Sequence, residues 1–280
     1  MILGVPVLNG HEQTRQFIEY LTPTIVAPQD FHLIVIDNAS DPPYSKDELP
    51  VVPFELSILR NKQNLGFYTP IQQLYDIESL QDHDIIAVAH NDVTFWEIGW
   101  DERLRDFFDD DDLGLVGLCG SDEIDLAGGR GGGTMCHFRG ERGQLQEHTG
   151  LRITGLEPAL ILDSLFMAFI RDVIPHMKIN DKMPLAHFMD KLLPVRAIRA
   201  GYKVAVAGIE IDHMGGQTIV AEPRFEEDAK RWCDEQGLPL ANGDGGLTMY
   251  LEAELRFKAE CADLLPSKIN KDWEVSVVHR

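Results

Sequence analysis

The chain is short of positive charge, of cysteine and of long apolar runs, and each shortage removes a class of function. Against 46 Asp and Glu stand only 25 Lys and Arg, a formal net charge of -21. General attraction to nucleic acid or to an anionic membrane is therefore unfavourable, and no basic run offers a local exception. The four cysteines, Cys119, Cys136, Cys233 and Cys261, form no CxxC pair and no zinc spacing, and read as reduced packing residues. No window approaches the ~18 uninterrupted apolar residues of a membrane helix, since even ILDSLFMAFI carries Asp163 and Ser164. The opening MILGVPVLNG lacks a basic start and the length of a secretory leader, so it reads as a first strand of a cytoplasmic protein. Neither GxGxxG after a strand nor a run ending in GK[ST] is present, which excludes the dinucleotide fingerprint and the phosphate loop. The glycine-rich GGRGGG at Gly128 to Gly133 reads instead as a flexible loop. The acidic run Asp109 to Asp112 lacks the alternating ligands and turn glycine of a calcium loop and reads as a solvated one.

What is present describes a soluble globular protein: 280 residues, 44% hydrophobic and 25% charged, enough for one large domain or two small ones. Strand signals fall at Ile2 to Leu8, His32 to Ile36, Phe54 to Leu59, Asp84 to Ala89 and Leu113 to Cys119. Helical patterns lie between several of them: Thr14, Phe17, Ile18 and Leu21 share one face, and Thr69 to Tyr75 and Ile98 to Phe108 follow. Such alternation predicts a largely parallel sheet covered on both faces. Further on, Ala159 to Ile170 reads as one buried strand and Lys191 to Ala200 as a helix closed by Gly201. Pro194 either sets the start of that helix shortly before it or kinks it. Tyr202 to Ala207 returns as a strand. From Ala221 the composition shifts to two helical stretches, Pro223 to Gln236 and Leu247 to Leu265, an extension suited to packing, acceptor binding or homo-oligomer contact.

The ends of the strands carry more information than their middles. Asn9, Asp37 with Asn38, Asn61 with Asn64, and Asn91 with Asp92 each follow an apolar run directly. In a parallel sheet those ends share one edge, the place where open α/β sheets hold ligands. The same residue types also begin turns and cap helices.

Taken in order, ILGVPVLNG, IVIDNAS, NLGFYTPIQQLY, HNDV, GLVGLCG, HFMDKLLPVRAIRAGY and DHMGG resemble the family 2 glycosyltransferases of the GT-A fold over roughly residues 1 to 220. The resemblance implies an α/β, Rossmann-like GT-A domain at 1–220, with 221–280 as a helical extension. It implies transfer of a sugar from a nucleotide-sugar donor, UDP-sugar first among the candidates, with inversion and with Mn2+ or Mg2+ as cofactor. The acceptor stays open among glycan, protein side chain, lipid carrier and modified nucleic-acid base. A sugar-1-phosphate nucleotidyltransferase and a noncatalytic nucleotide-sugar-binding relative are the alternatives.

Residue by residue, Asp37 matches the acid that holds the donor nucleoside, with Asn38 and Ser40 in its turn. Val5 to Asn9 match the first-strand segment lining the base pocket and Asn64 and Gly66 a family turn, so that Val5, Asn9, Asn38, Asn64, Gly66 and Asn91, which directly precedes Asp92, are expected with Asp37 to bind the donor nucleotide. Asp92 matches the last acid of the DxD-type motif, which binds the divalent cation on the donor diphosphate. The first acid is replaced by His90. One carboxylate implies weak metal binding without donor. His213 matches the late histidine near the same metal, while His32, His83 and His176 carry no motif and read as surface or packing residues. Asp190 matches the second acid of the ED motif and is the expected catalytic base, or a helix N-cap. Met189 and Leu192 depart from the acids usual there.

Overall fold

A computed structural model of the chain describes residues 1–140, 150–180, 182–215 and 223–278. Its first half is the expected alternation. Strands β1 (Ile2–Val7), β2 (His32–Asn38), β3 (Glu55–Asn61) and β4 (Ile85–Ala89) pair in parallel, β1 with β2 and β4, and β2 with β3. β2 and β4 are buried at every residue. That burial is why they read as unbroken apolar runs, for a strand covered on both faces has no solvent side on which to place polar residues. Helix α1 (His11–Leu21) buries Thr14, Phe17, Ile18 and Leu21, the face its spacing predicts. Helices α2 (Thr69–Asp76) and α3 (Trp100–Phe107) follow their strands in the same way.

The second half completes an eight-stranded sheet. After the short β5 (Val93–Phe95), β6 (Leu113–Gly117) joins it, and the strand order is Leu156–Pro158, Lys203–Ala207, β6, Phe166–Ile170, β4, β1, β2, β3. Phe166–Ile170 runs antiparallel between β4 and β6, and Leu156–Pro158 antiparallel at the edge. The sheet is thus mostly parallel, flanked by helices, as the fold expectation requires.

Two long apolar runs divide where one strand was expected of each. Leu113 to Cys119 ends its main-sheet strand at Gly117, and Cys119–Ser121 enters a second, four-stranded sheet. Ala159 to Ile170 splits into Ile161–Leu162 in that second sheet and Phe166–Ile170 in the main one. The break has a cause. Asp163 accepts a hydrogen bond from Leu165 N at 3.0 Å, turning the chain, and ion-pairs with Arg130.

One face of the sheet carries an aromatic cluster in which Trp100 stacks on Phe95 at 4.2 Å and meets Phe166 and Phe31 edge-on, at 5.9 and 6.1 Å. The other face is covered by α2 and by helix α4 (Met189–Arg199). All four cysteines are buried free thiols, as expected of packing residues. Among the described residues no helix is long and apolar enough to cross a membrane.

At the C-terminal end, helices Pro223–Glu235 and Gly245–Glu260 pack through Phe225, Ala229, Trp232, Cys233 and Met249. Arg196 of α4 holds Glu260 through two hydrogen bonds of 2.7 Å. The extension is not wholly helical: Ser267–Ile269 and Val275–Val277 form a hairpin, and the first of them pairs with Glu123–Ile124. Ser267 and Ile269 face inward while Lys268 faces out, a strand pattern too short to stand out in sequence. The expected division at 220/221 lies outside the described residues.

Trp100 is fully buried and donates its indole N–H to Thr24 Oγ1 at 3.0 Å. Trp100→Ala removes the centre of the aromatic cluster and is expected to cost about 3–5 kcal/mol, read as a lowered urea midpoint.

Candidate functional site

The carboxyl ends of β1, β2 and β4 open into a cavity of about 380 Å³. Its walls come from Pro6 to Leu8, Asn38, the turn Asn64 to Tyr68, the His90 to Asp92 segment, Leu185 to Lys191, and His213. Phe225 and Tyr250 from the C-terminal helices close one side. The polar strand ends do share one edge, and that edge is a crevice.

Three side chains converge there. His90, Asp92 and His213 place one donor atom each within 4.8 Å of one another. His213 Nε2 lies 3.2 Å and His90 Nδ1 3.8 Å from Asp92 Oδ1. Backbone pairing fixes all three. His90 N donates to Leu165 O at 2.9 Å, which extends the β4 ladder by one residue. Ile211–His213 pairs antiparallel with β5, setting His213 opposite Val93, and Met214 N donates to Asp92 O at 3.1 Å. Asp92 Oδ1 is buried with the His213 and His90 imidazoles beside it, and a buried carboxylate oxygen is costly unless a cationic group completes it. Burial alone would push the Asp92 carboxyl up, but His213, through its hydrogen bond and then its charge, and after it His90, hold it below the usual carboxylate range. The donor set fits a divalent cation.

Asp190 stands in the first turn of α4. The N-cap position is Phe188, with φ of 55°, and no side chain caps it, so Asp190 is not the cap. Its Oδ1 is buried without a hydrogen-bond partner. Burial first, then the charge of Asp163, push its carboxyl up to about 6. A base of that strength is suited to taking a proton near neutral pH. Pro194 lies inside α4, where it withholds the N–H that would have met the Asp190 carbonyl.

The remaining expected residues divide in two. Asn38, Asn64, Gly66 and Asn91 line the cavity with Asp92, Asp190 and His213. Asn38 donates to Gly66 O at 3.0 Å and Asn64 accepts from Gly66 N at 2.9 Å. Gly66, with φ of 69°, leaves no room for a Cβ, which would stand 2.3 Å from Leu185 O. Asn91 donates to Thr14 Oγ1 at 3.0 Å. Val5, Asn9 and Asp37 are not among the lining residues. Val5 is core. Asn9 takes φ of 55° and its carboxamide oxygen accepts from Asp41 N at 2.9 Å. The fully buried Asp37 carboxylate accepts from Ser40 N at 2.8 Å, from Tyr44 N at 3.0 Å and from Arg60. Burial opposes its charge, but those bonds hold its carboxyl below the usual value.

His90 stands where the family pattern has an acid, and its signal in the sequence is an imidazole in register with a ligand. Other cavity residues carry no such signal. Lys191 donates to Gly128 O at 2.9 Å and sits 4.1 Å over the Phe188 ring. The GGRGGG run is less loose than expected, because Asp125 accepts from Ala127 N and Gly129 N at 2.8 and 2.7 Å and Arg130 pairs with Asp163. Tyr250 meets His187 and Phe188 edge-on at 4.9 and 5.2 Å.

No protein-family model and no curated protein matches the sequence. Solved structures match in shape. The mannosyltransferase PcManGT from Pyrobaculum calidifontis, in complex with GDP-Man and Mn2+, shares 9% identity at a TM-score of 0.51, over 94% of this chain and 75% of that one. S. aureus TarS 1-349 shares 11% at 0.50, over 94% and 74%. Its complex with UDP-GlcNAc gives the same identity and score over 94% and 73%. The chain has a glycosyltransferase fold. At these identities the likeness concerns the fold alone.

Because the folded protein holds the Asp190 proton more tightly than an unfolded chain does, the stability tied to that proton is complete at low pH. It is lost as pH rises through about 6. Asp190→Asn is therefore expected to be more stable than the wild type at pH 8, by up to about 3 kcal/mol. Urea titrations across the pH range should show the gap closing toward the ordinary carboxyl range.

Proposed function

We propose that the protein is a glycosyltransferase that moves a sugar from a nucleotide-sugar donor to an acceptor hydroxyl with inversion, dependent on a divalent cation. The observation that carries this reading is the pairing, in one cavity, of an unpartnered carboxylate at Asp190 with the His90, Asp92 and His213 cluster. Residues 1–220 would form the catalytic body, with 221–280 covering the cavity through Phe225 and Tyr250. Asn38, Asn64, Gly66 and Asn91 would receive the donor nucleotide. Asp37 would act on it by holding the turn from Asn38 to Tyr44 rather than by touching it.

Asp190 takes the proton of the acceptor hydroxyl as that oxygen bonds to the anomeric carbon. The bond to the nucleoside diphosphate breaks on the opposite face, and its electron pair leaves with the diphosphate. His90, Asp92 and His213 would hold the cation, which supplies positive charge where the departing diphosphate gathers negative charge. Lys191 adds a cationic group beside Asp190. The GDP-Man and Mn2+ bound by PcManGT and the UDP-GlcNAc bound by TarS support a nucleotide-sugar donor.

The test is release of nucleoside diphosphate from UDP-, GDP- and dTDP-sugars with Mn2+ or Mg2+. Release is expected with at least one donor. Asp190→Asn should lower kcat roughly 10²–10⁴-fold, and the wild-type rate should fall as pH drops below about 6, where the carboxyl protonates. Asp92→Ala should abolish metal-dependent turnover with an unchanged circular dichroism spectrum. Pyrophosphate as the product would instead identify a nucleotidyltransferase, and nucleotide binding without turnover a noncatalytic relative.

A further inference from the structure

We infer that helix α5 (Pro223–Glu235) is a working part of the donor site, a clamp that fixes both of the turns proposed to receive the nucleotide. Arg224 holds the turn after β2, and Asp228 with Trp232 supports the turn after β3 through one buried water. The inference rests on the donor site proposed above and extends it to positioning residues from outside the sheet.

The buried face of α5 carries an acid that needs a use. Phe225, Asp228, Ala229, Trp232 and Cys233 are buried, and their spacing makes one helical face. A carboxylate on a packing face is costly unless its oxygens are met. Arg231 meets Asp228 Oδ1. Asp228 Oδ2 and the indole N–H of Trp232 are buried without a hydrogen-bond partner, and the two residues stand one helical turn apart on that face. Both line a cavity of about 30 Å³, shared with Gln63, Asn64 and Leu185. A cavity of that size holds one water, for which roughly 10–15 Å³ suffices. Such a water accepts from Trp232 Nε1 and donates to Asp228 Oδ2, with the polar Gln63 to Asn64 segment on the opposite wall.

That small cavity lies directly behind the donor site, since Asn64 and Leu185 line both. Phe67 N donates to Leu185 O at 3.0 Å, and Gly66 is pressed against the same carbonyl. Leu185 in turn packs with Phe225, Trp232 and Met249. The turn after β3 is thus backed by α5. At the turn after β2, Arg224 Nη1 donates to Ala39 O at 2.7 Å. Ala39 takes φ of 65°, a left-handed conformation that a residue with a side chain disfavours and that a hydrogen bond from outside the turn helps to fix. Its neighbour Asn38 lines the donor cavity and donates to Gly66 O at 3.0 Å. One helix therefore supports both turns, and Asn38 ties the two together.

The experiment measures binding of UDP, GDP and dTDP, each with Mn2+, to the full chain by calorimetry, so it needs no turnover. Arg224→Met and Asp228→Leu are each expected to weaken the bound nucleotide roughly threefold to tenfold, the worth of one positioned hydrogen bond. Arg224→Lys keeps a donor and should recover most of the loss. Asp228→Leu exchanges a buried charge for an apolar group of similar size, and should leave the urea midpoint level or raise it. Weaker binding in that variant is then not a result of unfolding. With a donor that is turned over, KM should rise by the same factor while kcat stays within about twofold. Amide exchange without nucleotide gives a second readout: Ser40 should exchange faster in Arg224→Met, and Gly66 and Phe67 in Asp228→Leu, with β1 unchanged. Unchanged affinity in either variant, a fall in kcat at constant KM, or unaltered exchange at those amides would overturn the inference. Those results leave glycosyl transfer standing. If the wild type binds none of the nucleotides, the proposed reaction falls, while faster exchange at the two turns still upholds the clamp.

Discussion

Three residues of backbone pairing, Ile211–His213 against Val93–Phe95, hold the candidate site together. They bring a histidine from late in the chain beside an acid that lies just beyond the fourth strand. Without that short antiparallel contact His213 would follow its own strand away from the crevice, and Asp92 would face only His90. The contact sits where the main sheet ends, so the rigidity of β4 passes directly to the metal-ligating candidates. A cation site assembled on strand ends rather than on a free loop needs little ordering when it fills.

The buried carboxylates separate by what they already hold. Asp37, Asp101 and Asp163 are fully employed inside the protein: Asp37 by the turn after β2, Asp101 by the amides of Val26 and Ala27, Asp163 by Arg130. Asp163 is held down to about 2 against its burial, mainly by Arg130. Asp190 keeps a buried oxygen without a hydrogen bond and Asp92 one met by imidazoles, and both line the cavity. Asp228 shares that feature but pairs with Arg231 away from the cavity. A fold tolerates such unmet acceptors where function uses them. Burial raises the carboxyl at both cavity acids. At Asp92 the imidazoles, His213 first, outweigh it, whereas at Asp190 the charge of Asp163 adds to it and makes the carboxylate a stronger base.

Much of this was legible in the chain. The apolar runs with Asn or Asp at their ends located the crevice, and Thr14, Phe17, Ile18 and Leu21 located the buried face of α1, because strand and helix periods are local properties. Asp92, His213 and Asp190 are marked by their places in the motif order alone. The break at Asp163 was not legible: its neighbours are as apolar as those of a continuous strand, and only the Arg130 partner and the change of sheet explain it. Nor was the direction of the Asp37 carboxylate, since three donors from Ser40, Tyr44 and Arg60 claim it. His90 is visible as the replacement of an acid, but its approach to Asp92 depends on the fold. Phe225 and Tyr250 reach the cavity from a segment whose packing no local pattern reveals.

By itself the sequence determined the alternating, doubly covered sheet and the polar edge on it, since burial on both faces demands unbroken apolar strands and leaves hydrogen-bonding groups only at their ends. Tertiary structure alone decided which of those groups remain available to a ligand. Availability is set by partners far away in the chain: Arg60 engages Asp37 and Arg130 engages Asp163, while Asp190 meets no partner for its Oδ1 and two imidazoles gather at Asp92. Register and packing between distant elements place those partners, and neither has a signature within one segment.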